Sequence, residues 1–286
     1  MFPRCGYPRC SSGAIRLWRS RRTPVFEGRW SCSPGCLHAM VEAAIGREGS
    51  GERPGSGEWT PRVPLGLVLL EQGRISEEQL RKARGSRQST EEASGEDVRL
   101  EEWLLNSGIL SETALTRAIS AQWNCPVFAL SQTRSEEMIS ALPPFLAEAL
   151  GALPVRVSGG RLLYLAFSGR IDRSLSYAVE HVTGLRVAAG MARESELRRE
   201  QARFLAGASP KTRFLEAEDR RALAGEMAAW IEAERPVEAR LARVHELWWL
   251  RIWHREQGGA ALPAREAVED LLATVRPQGG GQSEGD

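Results

Sequence analysis

An internal repeat between residues 65 and 122 constrains the fold more than any other feature of this sequence. Shifting the segment by 35 positions superimposes leucines on leucines and glycines on glycines. The matched pairs are Leu65 and Leu100, Leu69 and Leu104, Leu70 and Leu105, Gly73 and Gly108, Ser76 and Ser111, Glu77 and Glu112, Leu80 and Leu115, and Ala83 and Ala118. Two copies are too few for a solenoid, so we expect them to pack on each other as one small helical subdomain.

Each copy predicts a short helix, a glycine stop and a second helix. Leu65 and Leu69 lie four residues apart on one helix face, and Gly73 can end that helix in the left-handed conformation. Ser76 and Gln79 then form a capping box that begins the next helix. The second copy repeats this order with Leu100, Leu104, Gly108 and Ser111.

This pattern resembles the N-terminal domain of the type II secretion and type IV pilus assembly ATPases, the GspE/MshE type. The tandem motif of that family reads, in each copy, Arg-Leu-Gly, an apolar residue three positions on, a glycine four further, then Leu, Ala-Leu and a closing Gln. The resemblance extends over residues 63 to 205, about half of the chain, and includes a Thr-Gly-x-x-Val step at residues 183–187. It implies the fold of that domain.

In family members that bind cyclic di-GMP, the tandem motif is the binding site. The resemblance therefore implies candidate ligand residues in both copies, which are Leu65, Gly66, Leu69, Gly73 and Leu80, and Arg99, Leu100, Leu104, Gly108, Leu115 and Gln122. The chain departs from the motif where Pro64 replaces Arg, Arg84 replaces an apolar residue, Arg87 replaces the closing Gln and Glu101 replaces a close-approach Gly. Glu101 adds bulk and negative charge where a phosphate would lie. The alternative, which we favour, is a scaffold that kept the packing and lost the ligand.

Four cysteines near the N-terminus form two pairs, which are Cys5 with Cys10 and Cys32 with Cys36. Zinc favours four thiolates in a tetrahedron, and two turns that each carry two cysteines can supply them. The alternative is four free thiols in a poorly ordered segment. A segment of this size with so few aliphatic residues could hardly fold without a metal, so we expect one structural zinc ion.

The residues around these cysteines predict local structure. Residues 15–30 predict a hairpin that turns at residues 21–24. Ser33 is a natural N-cap and Pro34 a natural first residue for a helix that runs to about Ile45, with Cys36 in its first turn. A knuckle, a hairpin and a helix resemble a treble-clef zinc finger. Residues 1–36 also carry a net charge of +6, which leaves nucleic-acid binding as a weaker possibility.

The remaining segments predict a mixed architecture. Residues 131–205 read as a hairpin, helix, strand and helix, which form a small α+β layer. Residues 206–276 are predicted to be helical, with a helix that starts at Pro236. Its Trp248, Trp249 and Trp253 favour a seam that docks on the same chain, with a partner interface as the alternative. The whole chain divides into a zinc-finger-like module (1–46), a linker (47–62), tandem helix pairs (63–130), the α+β layer (131–205), the C-terminal helical segment (206–276) and a disordered tail (277–286).

Composition and missing motifs bound the function. The chain is 42% hydrophobic and 26% charged with a net charge of +1, which is typical of a soluble globular protein. No apolar run approaches the ~20 residues of a membrane helix and no signal peptide is evident, so we expect a cytoplasmic protein. The sequence contains no Walker A loop, no zincin motif and no catalytic triad context. We therefore predict an α+β, mostly helical, non-catalytic adaptor that binds a protein partner, with a cyclic di-GMP sensor as the alternative.

Overall fold

The α+β class predicted from the sequence is confirmed by a computed structural model, which describes residues 5–11, 24–50, 63–83, 85, 100–131, 138–255 and 262–276. The helices are α1 (Pro34–Gly49), α2 (Leu65–Glu71), a helical stretch at residues 77–83, α3 (Leu100–Asn106), α4 (Glu112–Trp123), α5 (Pro144–Ala149), α6 (Arg173–Thr183), α7 (Glu194–Ala206) and α8 (Arg220–Glu234). The strands are β1 (Val25–Phe26), β2 (Arg29–Trp30), β3 (Ala152–Ser158), β4 (Leu162–Phe167), β5 (Arg186–Met191), β6 (Lys211–Ala217), β7 (Glu238–Val244), β8 (Leu247–Trp253) and β9 (Val268–Val275). None of the described helices is both long enough and apolar enough to cross a membrane.

A six-stranded sheet forms the central layer of the molecule, in the order β2-β1-β7-β8-β9-β6. β1 and β7 pair in parallel, β7, β8 and β9 form an antiparallel meander, and β6 pairs in parallel with β9. The N-terminal strands therefore share a sheet with the C-terminal ones. The two segments are far apart in sequence, and no local pattern predicts this pairing.

Strand β8 explains the layering, because its side chains alternate between two hydrophobic cores. Trp248, Leu250 and Ile252 pack with α1 and α8 on one face. Trp249 and Trp253 lie in the core that the sheet shares with residues 65–204 on the other face. The three tryptophans therefore pack within the same chain, as expected, but they lie on a strand and not on a helix.

The duplicated helix pairs form as predicted. Gly73 and Gly108 both have positive φ, +63° and +67°, and end the first helix of each copy. In the first copy, the Ser76 amide donates to Gln79 Oε1 at 2.8 Å and the Gln79 amide donates to Ser76 Oγ at 3.2 Å, which is the capping box. In the second copy, Ser111 Oγ accepts from the Ala114 amide at 3.3 Å.

Equivalent leucines of the two copies occupy equivalent surroundings. Leu69 and Leu104 are fully buried, and Leu80 and Leu115 are each 6% exposed. All four belong to one hydrophobic core. The copies therefore pack around a shared interior, as the repeat predicts.

The predicted α+β layer also forms within the described part of residues 131–205. Gly159 and Gly160 have φ of +57° and +66° and join β3 to β4 as a hairpin. β5 pairs with β4 in parallel after the crossover through α6, and α7 closes the layer. Val127 adds a single parallel bridge to Met191 of β5.

The prediction of a helix from Pro236 is wrong. Residues 238–253 form the β7–β8 hairpin, which turns at His245, whose φ is +53°. A strand that is buried on both faces is largely apolar and lacks the polar alternation that identifies half-buried strands. The run from Leu247 to Trp253 is such a strand, and its apolar residues matched a helical spacing by coincidence. Within residues 206–276, only α8 and the short 3-10 turn Arg265–Ala267 are helical among the described residues.

Two boundaries near the N-terminus also differ from expectation. The hairpin turns at Glu27 and Gly28, with φ of +48° and +70°, rather than at residues 21–24. Positive φ at both turn residues suits the right-handed twist of the two strands. Helix α1 continues to Gly49, beyond the predicted end near Ile45. The tail at 277–286 and residues 51–62 of the linker lie outside the described residues.

Candidate metal centre and tandem motif

The four N-terminal cysteines lie close together. The sulfur atoms of Cys5, Cys10, Cys32 and Cys36 are all within 4.8 Å of one another. Cys32 Sγ is 3.4 Å from Cys10 Sγ and 3.6 Å from Cys36 Sγ. Zn–S bonds of about 2.3 Å place the sulfurs of a regular tetrahedron about 3.8 Å apart, so the cluster has the size that zinc requires.

Local structure holds each cysteine in place. The Gly6 amide donates to the Trp30 carbonyl at 2.7 Å, which fixes the loop of Cys5 and Cys10 against β2. A Cβ at Gly6 would lie 2.5 Å from Arg29 Cβ, so only glycine allows this approach. Ser33 Oγ accepts from the Cys36 amide at 3.1 Å, which caps α1 and places Cys36 in its first turn as predicted.

Two of the four thiols, those of Cys5 and Cys36, have raised pKa values. Burial and hydrogen bonding among the thiols raise the pKa of Cys36 to about 12, although Ser33 opposes the shift. Burial likewise raises the pKa of Cys5. A cation would reverse this balance, because a bound metal ion stabilises thiolates and releases their protons. The donor set fits a structural zinc ion, with four protein ligands and no open position for chemistry.

The cysteine cluster sits at the end of a structural unit rather than in a separate finger. Helix α1 begins at the cluster and packs along α8, and β1 joins the sheet beside β7. Of the seven arginines that make this segment basic, Arg9 and Arg29 fall within the described residues, and both are exposed. The other five lie outside them.

The candidate ligand leucines of the tandem motif are interior residues. Leu65, Leu69, Leu80, Leu104 and Leu115 are buried in one core, and Leu100 packs against that core. Gly66 is also buried, and a Cβ there would lie 2.7 Å from Leu80 Cδ1, so this glycine serves helix packing. Gly73 and Gly108 are exposed helix stops with nothing within 4 Å of the position of a Cβ.

Among the Arg and Gln positions of the motif, the structure describes Gln122 but not Arg87 or Arg99. Gln122 Nε2 donates to the Val63 carbonyl at 2.8 Å, so the closing glutamine of the second copy reaches the start of the first. The motif residues that the structure describes therefore pack the two copies against each other, and a hydrogen bond joins them.

A cleft beside the second copy is acidic. It lies between helices α3 and α4 and the ends of β4 and β5, and Glu101, Glu102, Glu112 and Glu194 contribute four carboxyl groups to its lining, which includes no lysine or arginine. Glu112 accepts from the amide and the hydroxyl of Ser195 at 2.7 and 2.6 Å. Burial raises the pKa of Glu112, but the Ser195 hydrogen bonds and the charge of Arg193 outweigh it, so the pKa is lowered overall. Glu112 and Glu194 already have partners within the chain, which are Ser195 and Arg198, and the four carboxyl groups together make the cleft less favourable for a phosphate than for a cationic group.

Helix α6 is held at both ends by the C-terminal hairpin, an arrangement that the sequence analysis missed. Asp172 caps the N-terminus of α6, and its Oδ2 lies 2.6 Å from His245 Nε2 in the β7–β8 turn, within hydrogen-bonding distance. At the other end, the Arg240 guanidinium donates to the His181 and Val182 carbonyls at 3.4 Å. A cation at a helix C-terminus and a carboxylate at its N-terminus both complement the helix dipole. No local pattern predicts these contacts, because their partners are about 60 to 70 positions apart in sequence.

Solved structures that resemble this chain include MshE and XpsE. A structure of MshE with cdg is 29% identical, with a TM-score of 0.41, and the match covers 50% of this chain and 99% of that one. Two crystal structures of the N-terminal domain of XpsE are 22% and 21% identical, with TM-scores of 0.37 and 0.30, and the matches cover 49% and 48% of this chain and 92% of each XpsE chain. No protein-family model and no curated protein matches the chain. Over about half of its length, this chain is similar to the N-terminal domains of secretion ATPases.

Proposed function

We propose that the protein is a non-catalytic adaptor whose MshE-like domain, residues 63–205, binds a protein partner. The observation that carries this proposal is the acidic cleft beside the second copy of the repeat. Four carboxyl groups at this position favour a lysine or arginine side chain on a partner and disfavour the two phosphates of a cyclic dinucleotide.

The buried leucines support the same function. A side chain that fills the interior of the helix pairs stabilises them, so packing alone accounts for these leucines whether or not a ligand binds. The domain is also fixed to the central sheet through α6, as expected for a scaffold that presents a constant surface. Zinc, in this proposal, holds the N-terminal strands and α1 in the same body.

Calorimetry with cyclic di-GMP tests the proposal directly. The full chain is expected to give no binding heat at micromolar concentrations of the dinucleotide. A variant with Pro64→Arg, Arg84→Leu, Arg87→Gln and Glu101→Gly carries the family residues at the four departing positions and serves as the control for a ligand-competent domain. Micromolar binding by the natural chain that Arg99→Ala abolishes would replace the adaptor with a cyclic di-GMP sensor.

Cross-linking tests the protein-partner part. A photo-reactive residue at Leu105, which lines the cleft, should capture a partner in cells. Glu102→Lys should lower that capture at least about tenfold, because it replaces one of the four carboxylates of the cleft with a positive charge. Glu226→Lys, on the exposed side of α8, is the matched control and should leave capture unchanged. Equal capture by both variants contradicts the cleft as the docking site.

The second candidate function is the cyclic di-GMP sensor itself. It is favoured by the register of the two copies, whose leucines and glycines are retained at matching positions. The MshE relative was solved with cdg, which is cyclic di-GMP. The calorimetric experiment separates the two functions, since only the sensor requires the dinucleotide.

A further inference from the structure

Strand β6 is the one long sheet edge, among the described residues, that has no proline, no bulge and no segment hydrogen-bonded to its open side. The other edges are protected. β2 has two residues, and the Trp30 carbonyl is taken by the Gly6 amide. β3 contains Pro154 and a bulge beside it, and residues 126–128 exchange hydrogen bonds with Met191 at the end of β5. Open edges are templates for pairing with another chain, and most proteins block them.

β6 itself has the properties of a pairing strand. Its seven residues pair with β9 without a bulge, and it contains no proline. The Arg276 amide donates to the Ala217 carbonyl at 2.8 Å, so Ala217 directs its backbone groups towards β9. Because this direction alternates along a strand, Thr212, Phe214 and Glu216 present their N–H and C=O groups to the open side.

The side chains at this edge are apolar or already paired. Phe214 is 66% exposed, the highest value among the large hydrophobic residues of the described chain. Its ring meets that of Phe145, which is 44% exposed, edge to face at 5.4 Å. The charged residues of β6 form ion pairs within the same chain, which are Lys211 with Glu269, Arg213 with Glu234, and Glu216 with Arg276. Each of these charges therefore has a partner within the chain, although Lys211, at 82% exposed, remains at the edge.

We propose that β6 pairs with β6 of a second copy of this chain, antiparallel and centred on Phe214. This register pairs Phe214 with Phe214 and Thr212 with Glu216 of the second copy, and it uses every outward backbone group in roughly six hydrogen bonds. It also sets Arg213 opposite Leu215 and Lys211 opposite Ala217, so no like charges face each other. Centring the pair on Arg213 would instead oppose two arginines. The result is a continuous twelve-stranded sheet with four phenylalanines at the two-fold axis.

The oligomeric state of the full chain tests this inference. Sedimentation velocity over about a hundredfold range of protein concentration should show a monomer–dimer equilibrium. Phe214→Asp and Phe214→Lys each place like charges at the two-fold axis and should weaken the dimer at least about tenfold. Leu67→Asp, at a residue of α2 that is 46% exposed, is the matched control and should leave the equilibrium unchanged.

Hydrogen exchange locates the contact. The amides of Thr212, Phe214 and Glu216 should become protected as the protein concentration rises, and Phe214→Asp should abolish that protection while circular dichroism shows an unchanged fold. A chain that stays monomeric at every concentration overturns the proposal. A dimer that both Phe214 variants leave intact overturns it as well, since the contact then lies elsewhere.

Discussion

The Arg251 guanidinium and the Asp270 carboxylate form a two-pronged ion pair in the interior, with Nε to Oδ1 at 2.7 Å and Nη2 to Oδ2 at 2.8 Å. Trp249 Nε1 donates to the same carboxylate at 2.7 Å, and Arg251 also donates to the Ser140 carbonyl of the MshE-like domain. The Ser140 hydroxyl in turn donates to the Pro263 carbonyl at 2.7 Å. This network joins the central sheet to the MshE-like domain through groups that are almost fully removed from water.

Replacing Arg251 with Met should destabilise the fold strongly, because Asp270 is then left buried and uncompensated. We expect a loss of about 3–5 kcal/mol in the free energy of unfolding, measured by urea titration. Glu216→Gln breaks the exposed pair with Arg276, whose partners are 61% and 60% exposed, and should cost less than about 1 kcal/mol. Similar small losses in both variants would mean that the buried pair does not hold the two layers together.

Zinc binding should require the four clustered cysteines but not Cys125, which lies outside the cluster. The purified chain is expected to carry one equivalent of zinc by mass spectrometry, and Cys32→Ser combined with Cys36→Ser should remove it, because two of four ligands are lost. Cys125→Ser changes the cysteine outside the cluster and should retain the metal. Full zinc content in the double variant would refute the metal centre.

The two repeat glycines should respond alike to substitution. Gly73→Ala and Gly108→Ala each force a side chain into the left-handed region and should destabilise the chain by about 1 kcal/mol or somewhat more. Gly46→Ala, within α1, where a Cβ meets nothing within 4 Å, should instead stabilise by about 0.5–1 kcal/mol. Opposite signs at Gly73 and Gly108 would argue against equivalent roles in the two copies.

Acid should weaken the contact between β1 and α6. Burial raises the pKa of Glu27, but hydrogen bonds from His181 and Arg47 and their charges outweigh it, so the pKa lies below its ordinary value of 4.5. The ionised carboxylate then stabilises the fold above that ordinary value, and this contribution is lost as the pH falls through the lowered pKa of the folded state.

Unfolding titrations across this acidic range should show a smaller loss of stability in Glu27→Gln than in the natural chain. Glu78→Gln is a suitable control for an exposed carboxylate, since the ion pair of Glu78 with Lys82 is solvent-exposed. If the natural chain and Glu27→Gln lose stability in parallel as the pH falls, the Glu27 interactions do not contribute to the contact.

Local signals predicted the repeat and the pairing of the N-terminal cysteines well. The capping box of Ser76 and Gln79 and the stop at Gly73 depend on residues within one or two helical turns, so the sequence alone carries them. The spacing of the cysteines and the cap at Ser33 are likewise local. These features are decided by short-range chemistry.

The central sheet could not be read in the same way. Phe26 pairs with Ala239, more than 200 positions away, and no periodicity links them. The two-sided burial of Trp248 and Trp249 removed the alternation that would have identified a strand. Arg240 and His245, which contact the two ends of α6, belong to the β7–β8 hairpin. Because the sequence did not predict these strands, it did not predict their contacts with α6 either.

The central sheet also sets an order of events during synthesis. β1 and α1 precede the MshE-like domain in the chain, whereas their partners β7 and α8 follow it. The repeats can condense as soon as they leave the ribosome, because their contacts are short in sequence. The N-terminal hairpin has no strand to join until residues 238–244 have been made, so the cysteine-bearing segment must wait, and a zinc ion captured early would keep it intact until then.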